Sequence, residues 1–126
     1  MPTHVRLILW VDCSGAILVG ALLLVFADWL RPLFQFPPLL YFTIAAANGV
    51  YGTFSLVLAS LPQRPLSLIA TLAIANAFWG CACLIGAASM LGRASIFGMA
   101  HLILEGLVVF SLARIEWRHR AWLAAH

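Results

Sequence analysis

Hydrophobic residues fill this chain in long runs, and polar residues collect in the short stretches between them. A helix needs roughly 20 apolar residues to cross the hydrocarbon core of a bilayer. The chain contains four such runs, at about residues 7–27, 39–61, 66–91 and 94–115. Proline-containing stretches at 28–38 and 62–65 and a Gly92-Arg93 step separate them. The pattern predicts an all-α polytopic membrane protein, in which residues 1–126 form a single domain, an antiparallel bundle of four transmembrane helices.

The second and third runs share a short motif. Residues 45–52 read AAANGVYG and residues 73–80 read AIANAFWG, so both fit Ala-x-Ala-Asn-x-x-aromatic-Gly. Positions i, i+3, i+4 and i+7 share a helix face, which places each asparagine on a stripe of small residues. Such stripes mark surfaces where transmembrane helices approach closely. We expect these two helices to pack on each other along the stripes, with Asn48 and Asn76 at similar depth and their amides hydrogen-bonded across the pair.

Composition supports the membrane class. The chain is 64 % hydrophobic and only 9 % charged, whereas soluble domains carry about 25 % charged residues. All the positive charges in its net charge of +3 are arginines, since the chain contains no lysine and histidine is counted as neutral. The arginines lie near the ends of the apolar runs, where anionic lipid headgroups account for them. We therefore expect membrane lipid, and no nucleic acid, as a partner.

The arginine distribution also predicts an orientation. Four spans place both termini and the second loop on one side, which carries Arg6, Arg64, Arg114, Arg118 and Arg120, while the other side carries Arg31 and Arg93. Because cytoplasmic loops carry the excess of positive charge, both termini are expected in the cytoplasm. The basic and aromatic tail, residues 116–126, is expected to continue the fourth helix and then to lie along the headgroups.

Several polar residues lie within the apolar runs, where an ionisable group costs at least ~2.5 kcal/mol unless it is paired. His101 and Glu105 form an i, i+4 pair on one face of the fourth helix. If the polar faces converge, the bundle interior contains seven candidate ligand-binding residues: Asp12, Asn48, Tyr51, Asn76, Trp79, His101 and Glu105. The alternative is a hydrogen-bond network that fixes helix register, with Asp12 paired to Arg6 or snorkelling to the headgroups.

The sequence gives little support for nucleophilic catalysis, phosphate binding, a metal site or reactive cysteines. No serine lies in a nucleophile motif, and no glycine-rich loop is present to hold a phosphate. A single histidine with scattered carboxylates inside the runs is a poor set of metal ligands. The three cysteines also lie in apolar runs, where cysteine behaves as a small hydrophobe. We expect neither a metal nor another cofactor.

The layout resembles the small four-helix bacterial inner-membrane proteins grouped as DoxX-like. The resemblance rests on the segments Leu9–Asp12, Asp28–Pro32, Pro37–Leu40 and Pro62–Pro65 and spans most of the chain. It implies a multi-pass protein of the bacterial cytoplasmic membrane. Some such proteins are associated with quinone-linked sulfur oxidation or other membrane redox complexes, which implies a quinone or lipid ligand or an accessory-subunit role.

A second resemblance concerns chemistry alone. Sterol isomerases of the emopamil-binding type use buried His and Glu residues with aromatic and asparagine neighbours, and the set Asn76, Trp79, His101 and Glu105 is similar to theirs. This chain is one helix shorter than those proteins. The resemblance implies a proton-transfer role for His101 and Glu105 on an isoprenoid or sterol-like substrate.

The sequence favours a protein without catalytic activity of its own. It would bind a small apolar or amphipathic molecule, such as a quinone or lipid, or act as an accessory subunit of a membrane complex or in a homo-oligomer. In the binding version, His101 and Glu105 hold a polar head while Tyr51 and Trp79 flank it. The isomerase-like enzyme is the alternative, and a bundle with no pocket is the third hypothesis.

Overall fold

The described residues form helices joined by short connections. The computed structural model describes the backbone of residues 2–125 and the side chains of residues 7–124. The helices are α1 (Pro2–Val25), α2 (Ala27–Phe34), α3 (Pro38–Ser60), α4 (Leu66–Ser89), α5 (Ile96–Arg118) and α6 (Arg120–Ala125). The predicted all-α class is confirmed.

Among the described residues, four helices are long and apolar enough to cross a membrane: Leu7–Val25 within α1, and the whole of α3, α4 and α5. They correspond to the four predicted spans. Proline sets two of the boundaries, because its ring suits the first turn of a helix and disfavours the interior. Pro38 begins α3, and Pro65 directly precedes α4. The fourth span continues to Arg118, beyond the predicted end near residue 115.

The long helices pack as two close pairs. α1 lies along α3 and α4 lies along α5, whereas α3 makes few contacts with α4 and α1 makes few with α5. The small-residue stripes of α3 and α4 are buried, as predicted. Their partners differ from the prediction, since the α3 stripe faces α1 and the α4 stripe faces α5. The expectation that α3 and α4 pack on each other along these stripes is wrong.

The final glycine of each motif shows how close these crossings are. A Cβ atom on Gly52 would lie 2.9 Å from the backbone nitrogen of Ile17 in α1. A Cβ atom on Gly80 would lie 3.1 Å from the carbonyl oxygen of Gly106 in α5. Helix backbones reach this separation only where side chains are absent or small. Each copy of the motif therefore marks a helix crossing, but with a helix outside the repeat.

α6 covers the end of the bundle that carries the α3–α4 turn, called here the α6 end. Leu123 is fully buried in a cluster whose other fully or largely buried members are Leu9, Leu58, Ala59, Ile69 and Leu72. The buried side chain of Arg64, from the turn, donates to the carbonyl oxygen of Leu123. The tail was expected to lie along the headgroups. It turns back after α5 instead, because Leu123 completes this apolar cluster.

α2 covers the opposite end, called here the α2 end. Ser95, the residue before α5, donates its backbone N–H to the carbonyl oxygen of Phe34, at 3.2 Å. The Phe34 ring also lies beside the His101 ring, with 5.2 Å between their centroids. These contacts hold α2 against the start of α5 and place an aromatic cover over His101.

Candidate ligand-binding cavity

A cavity of about 370 Å³ lies between the two helix pairs. Small-molecule sites usually measure about 300–1,000 Å³, so this volume suits a small ligand or part of a larger one. The cavity wall is predominantly apolar, and it includes all seven residues that the sequence singles out: Asp12, Asn48, Tyr51, Asn76, Trp79, His101 and Glu105. The predicted convergence of the polar faces is therefore present in the structure.

The cavity is open to the side, between α1 and α5. On α1 its wall includes Val11 and Gly15, and on α5 it includes Leu104 and Val108. All four residues are exposed on the outer surface of the bundle. Because α1 and α5 touch little, the gap between them connects the cavity to the surface that apolar helices present to lipid.

Glu105 is the centre of the polar group nearer the α2 end. Its Oε1 accepts a hydrogen bond from Asn48 Nδ2 at 3.1 Å, and its Oε2 accepts one from Trp79 Nε1 at 2.7 Å. Cys83 Sγ donates to Oε2 at 3.5 Å. His101 Nε2 lies 3.2 Å from Oε1, at ion-pair distance but without hydrogen-bond alignment. Three hydrogen-bond donors and the nearby His101 ring therefore converge on this carboxyl group, within the acceptor capacity of a carboxylate.

Asp12 is the centre of the polar group nearer the α6 end. Its Oδ2 accepts from the Tyr51 hydroxyl at 2.6 Å and from Asn76 Nδ2 at 3.2 Å. Asn76 Nδ2 also donates to Glu116 Oε1 at 2.7 Å. Asp12 is only 3 % exposed, so snorkelling to the headgroups is wrong. The alternative partner Arg6 has a side chain outside the described residues.

The repeated motif acquires a clear role in this arrangement. In α3, Asn48 donates to Glu105 while Tyr51 donates to Asp12. In α4 the assignment is reversed, since Asn76 donates to Asp12 while Trp79 donates to Glu105. Each carboxyl group thus receives an amide from one copy of the motif and an aromatic donor from the other. The sequence predicted that the two asparagines pair with each other. They instead hold two carboxyl groups at different depths.

These contacts use nearly all the hydrogen-bond donors of the cavity wall. Both N–H groups of Asn48 are engaged, because its Nδ2 also donates to the carbonyl oxygen of Ile44 at 2.9 Å. Carboxyl acceptors also fix the amide orientations, since an amide must turn its NH₂ group toward a carboxylate. The Asn48 Oδ1 atom and His101 Nδ1 make no hydrogen bond with other described residues. Both residues line the cavity.

Glu116 belongs to this network and was not among the predicted site residues. It follows Glu105 by 11 residues, about three helical turns, so the two side chains share a helix face. That spacing was a usable signal. It was obscured because Glu116 stands beside Arg114, Trp117 and Arg118, a composition typical of a headgroup-facing tail.

Cys83 was likewise expected to be only a small hydrophobe, although its thiol contacts Glu105. Within the described residues, no three His, Cys, Asp or Glu side chains are grouped so that they could hold a metal ion. No protein-family model, curated protein or solved structure gives a significant match to this chain.

Proposed function

We propose that this chain is a multi-pass protein of the bacterial cytoplasmic membrane that binds a small amphipathic molecule, a quinone-type molecule or a lipid, within its helix bundle. The observation that carries the proposal is the cavity of about 370 Å³ lined by all seven polar and aromatic candidates. A network that merely fixed helix register would need no such space beside it. The proposal includes no catalysis by the chain itself.

The side opening supports a ligand that arrives from the membrane. The exposed residues at the gap, Val11, Gly15, Leu104 and Val108, are all apolar or lack a side chain. An apolar tail leaving the cavity between α1 and α5 would stay in contact with hydrocarbon. Its polar head would lie against Asn48 and His101, deeper in the cavity.

The hydrogen-bond pattern favours a head group that donates. The N–H and O–H donors of Asn48, Tyr51, Asn76 and Trp79 all point to carboxyl groups or to the backbone. His101 Nε2 lies 3.2 Å from Glu105 Oε1, and a neutral ring that carries its proton at Nε2 presents an acceptor at Nδ1. A hydroxyl-bearing head, such as a quinol or a lipid alcohol, fits acceptors better than a quinone carbonyl does.

Filling the mouth of the cavity tests the proposal. Gly15 lines the cavity and has no heavy atom within 4 Å of a Cβ position, so Gly15→Leu adds side-chain volume at a site where the first added atom has space. Gly86→Leu is the matched control, because Gly86 also faces open space and lies away from the cavity. Small molecules that co-purify with each folded variant are identified by mass spectrometry. We expect Gly15→Leu alone to lose the bound molecule, and equal retention by both variants contradicts the proposal.

The orientation, with both termini in the cytoplasm, is part of the proposal and has its own test. Single cysteines at positions 31 and 119 are labelled from outside intact cells in a cysteine-free background. The five-to-two arginine distribution predicts labelling at position 31 and protection at position 119. Labelling at position 119 alone reverses the assigned orientation.

A second candidate function is an intramembrane isomerase-like enzyme. It is favoured by the 3.2 Å contact between His101 Nε2 and Glu105 Oε1 at the wall of the cavity, an arrangement suited to proton transfer. Turnover distinguishes the two functions. Conversion of an isoprenoid or sterol-like substrate by wild type, and its loss in His101→Gln, would support the enzyme.

A further inference from the structure

Glu116 has an unusual environment for a buried acid. Its side chain is completely buried, and its Oε1 accepts a hydrogen bond of 2.7 Å from Asn76. Its Oε2 is also buried, and no described residue donates a hydrogen bond to it. Buried polar atoms in folded proteins almost always have a partner, so this oxygen requires an explanation.

A second acid, Asp12, accounts for this oxygen. The Asp12 and Glu116 carboxyl groups share one hydrogen-bond donor atom. The single Asn76 Nδ2 atom contacts both acids, at 3.2 Å from Asp12 Oδ2 and 2.7 Å from Glu116 Oε1. Two ionised carboxylates are both pure acceptors and repel each other. One proton shared by the two groups removes this repulsion and supplies a further donor.

Among the residues whose side chains are described, no group beside the two acids supplies a positive charge in its place. α3 contributes the Tyr51 hydroxyl, and α4 contributes the Asn76 amide, both neutral donors. Neither Asp12 nor Glu116 contacts a basic side chain among the described residues. In α6, the guanidinium of Arg120 is instead stacked on the Trp117 ring, 4.2 Å from its centroid.

We infer that Asp12 and Glu116 form a proton-binding site that holds one proton between the two carboxyl groups. The inference does not depend on the proposed ligand. Glu116 is sealed inside the bundle, whereas Asp12 also lines the cavity, so Asp12 is the route by which the proton reaches it. The site is therefore placed to give a proton to, or accept one from, a group that enters the cavity at the α6 end.

The acids of this bundle have two different hydrogen-bonding environments. Glu105 is surrounded by donors from Asn48, Trp79 and Cys83, which leave no need for a proton of its own. The Asp12–Glu116 pair has fewer donors than acceptor atoms and requires one. The two acids that line the cavity, Asp12 and Glu105, consequently offer it different chemistry.

Infrared spectroscopy of the whole chain in a detergent without ester groups, at neutral pH, tests the inference, because a protonated carboxyl group gives a carboxylic-acid carbonyl band and a carboxylate does not. We expect wild type to show this band. Asp12→Asn and Glu116→Gln should each abolish it, since the new amide donates to the remaining carboxylate and replaces the proton. Asp28→Asn, which removes an exposed acid in α2, is the control that should keep the band.

Each possible result either supports or overturns the shared proton site. Absence of the band in wild type overturns the inference, and this measurement requires no variant to fold. A band that survives in Asp12→Asn shows that the protonated acid does not need Asp12, which overturns the shared site. A band lost in both variants, with folding confirmed by size-exclusion chromatography, supports it.

Discussion

Replacing the two motif asparagines one at a time tests whether they bind different carboxyl groups, as in the structure, or each other, as the sequence predicted. Asn76 Nδ2 contacts both Asp12 and Glu116, at 3.2 and 2.7 Å. Asn48 donates one hydrogen bond to Glu105, which also receives donors from other residues. Leucine has a similar volume and no donors. Asn76→Leu and Asn48→Leu therefore remove unequal numbers of contacts.

The magnitudes follow from these contacts. Side-chain hydrogen bonds between membrane helices contribute about 0.6–1.7 kcal/mol each. Asn76→Leu removes two and leaves Glu116 without a described hydrogen-bond donor, so a loss of about 1–3 kcal/mol in the free energy of unfolding is expected. Asn48→Leu removes one interhelical bond, and Glu105 keeps Trp79 and Cys83, so about 0.5–1.5 kcal/mol is expected.

Reversible unfolding in mixed micelles, or steric trapping in bicelles, measures both variants and the double variant. If the asparagines contact different carboxyl groups, the two losses should add within about 0.5 kcal/mol. Direct pairing of Asn48 with Asn76 predicts instead that the second substitution costs little once the first is made. Equal single losses with strong non-additivity would refute the arrangement described here.

Three further predictions concern packing and the site. Gly80→Leu should destabilise the protein by about 1–3 kcal/mol through overpacking, while the same change at Gly86, where a Cβ has open space, should not; equal unfolding free energies would contradict the α4–α5 crossing. Leu123→Ala should cost about 2–5 kcal/mol in the same assay, because the side chain is fully buried; a tail resting on headgroups would tolerate it. Glu105→Gln should lower both the melting temperature and ligand retention, since an amide presents N–H to donors such as Trp79 Nε1; unchanged values would show that this acid is not required.

Hydropathy alone determined the number of spans and their approximate limits. An apolar run of about 20 residues has few alternatives to a membrane helix, since every backbone polar group must be satisfied within it. The choice of site residues was equally local, because Asp12, His101 and Glu105 are costly inside a bilayer unless they have partners. The structure places all three on one cavity wall.

Which surfaces meet was decided only by the tertiary structure. The repeat identified the close-packing faces of α3 and α4, but a stripe of small residues fits any helix that presents a complementary surface. Gly52 meets α1 and Gly80 meets α5, so the repeat serves two separate crossings. Glu116 was missed for a related reason. Its sequence neighbours are those of a headgroup-facing tail, and only the packing of α5 against α4 buries its carboxyl group beside Asn76. Local sequence specifies what a helix face is made of, whereas its partner depends on the shapes of all the helices together.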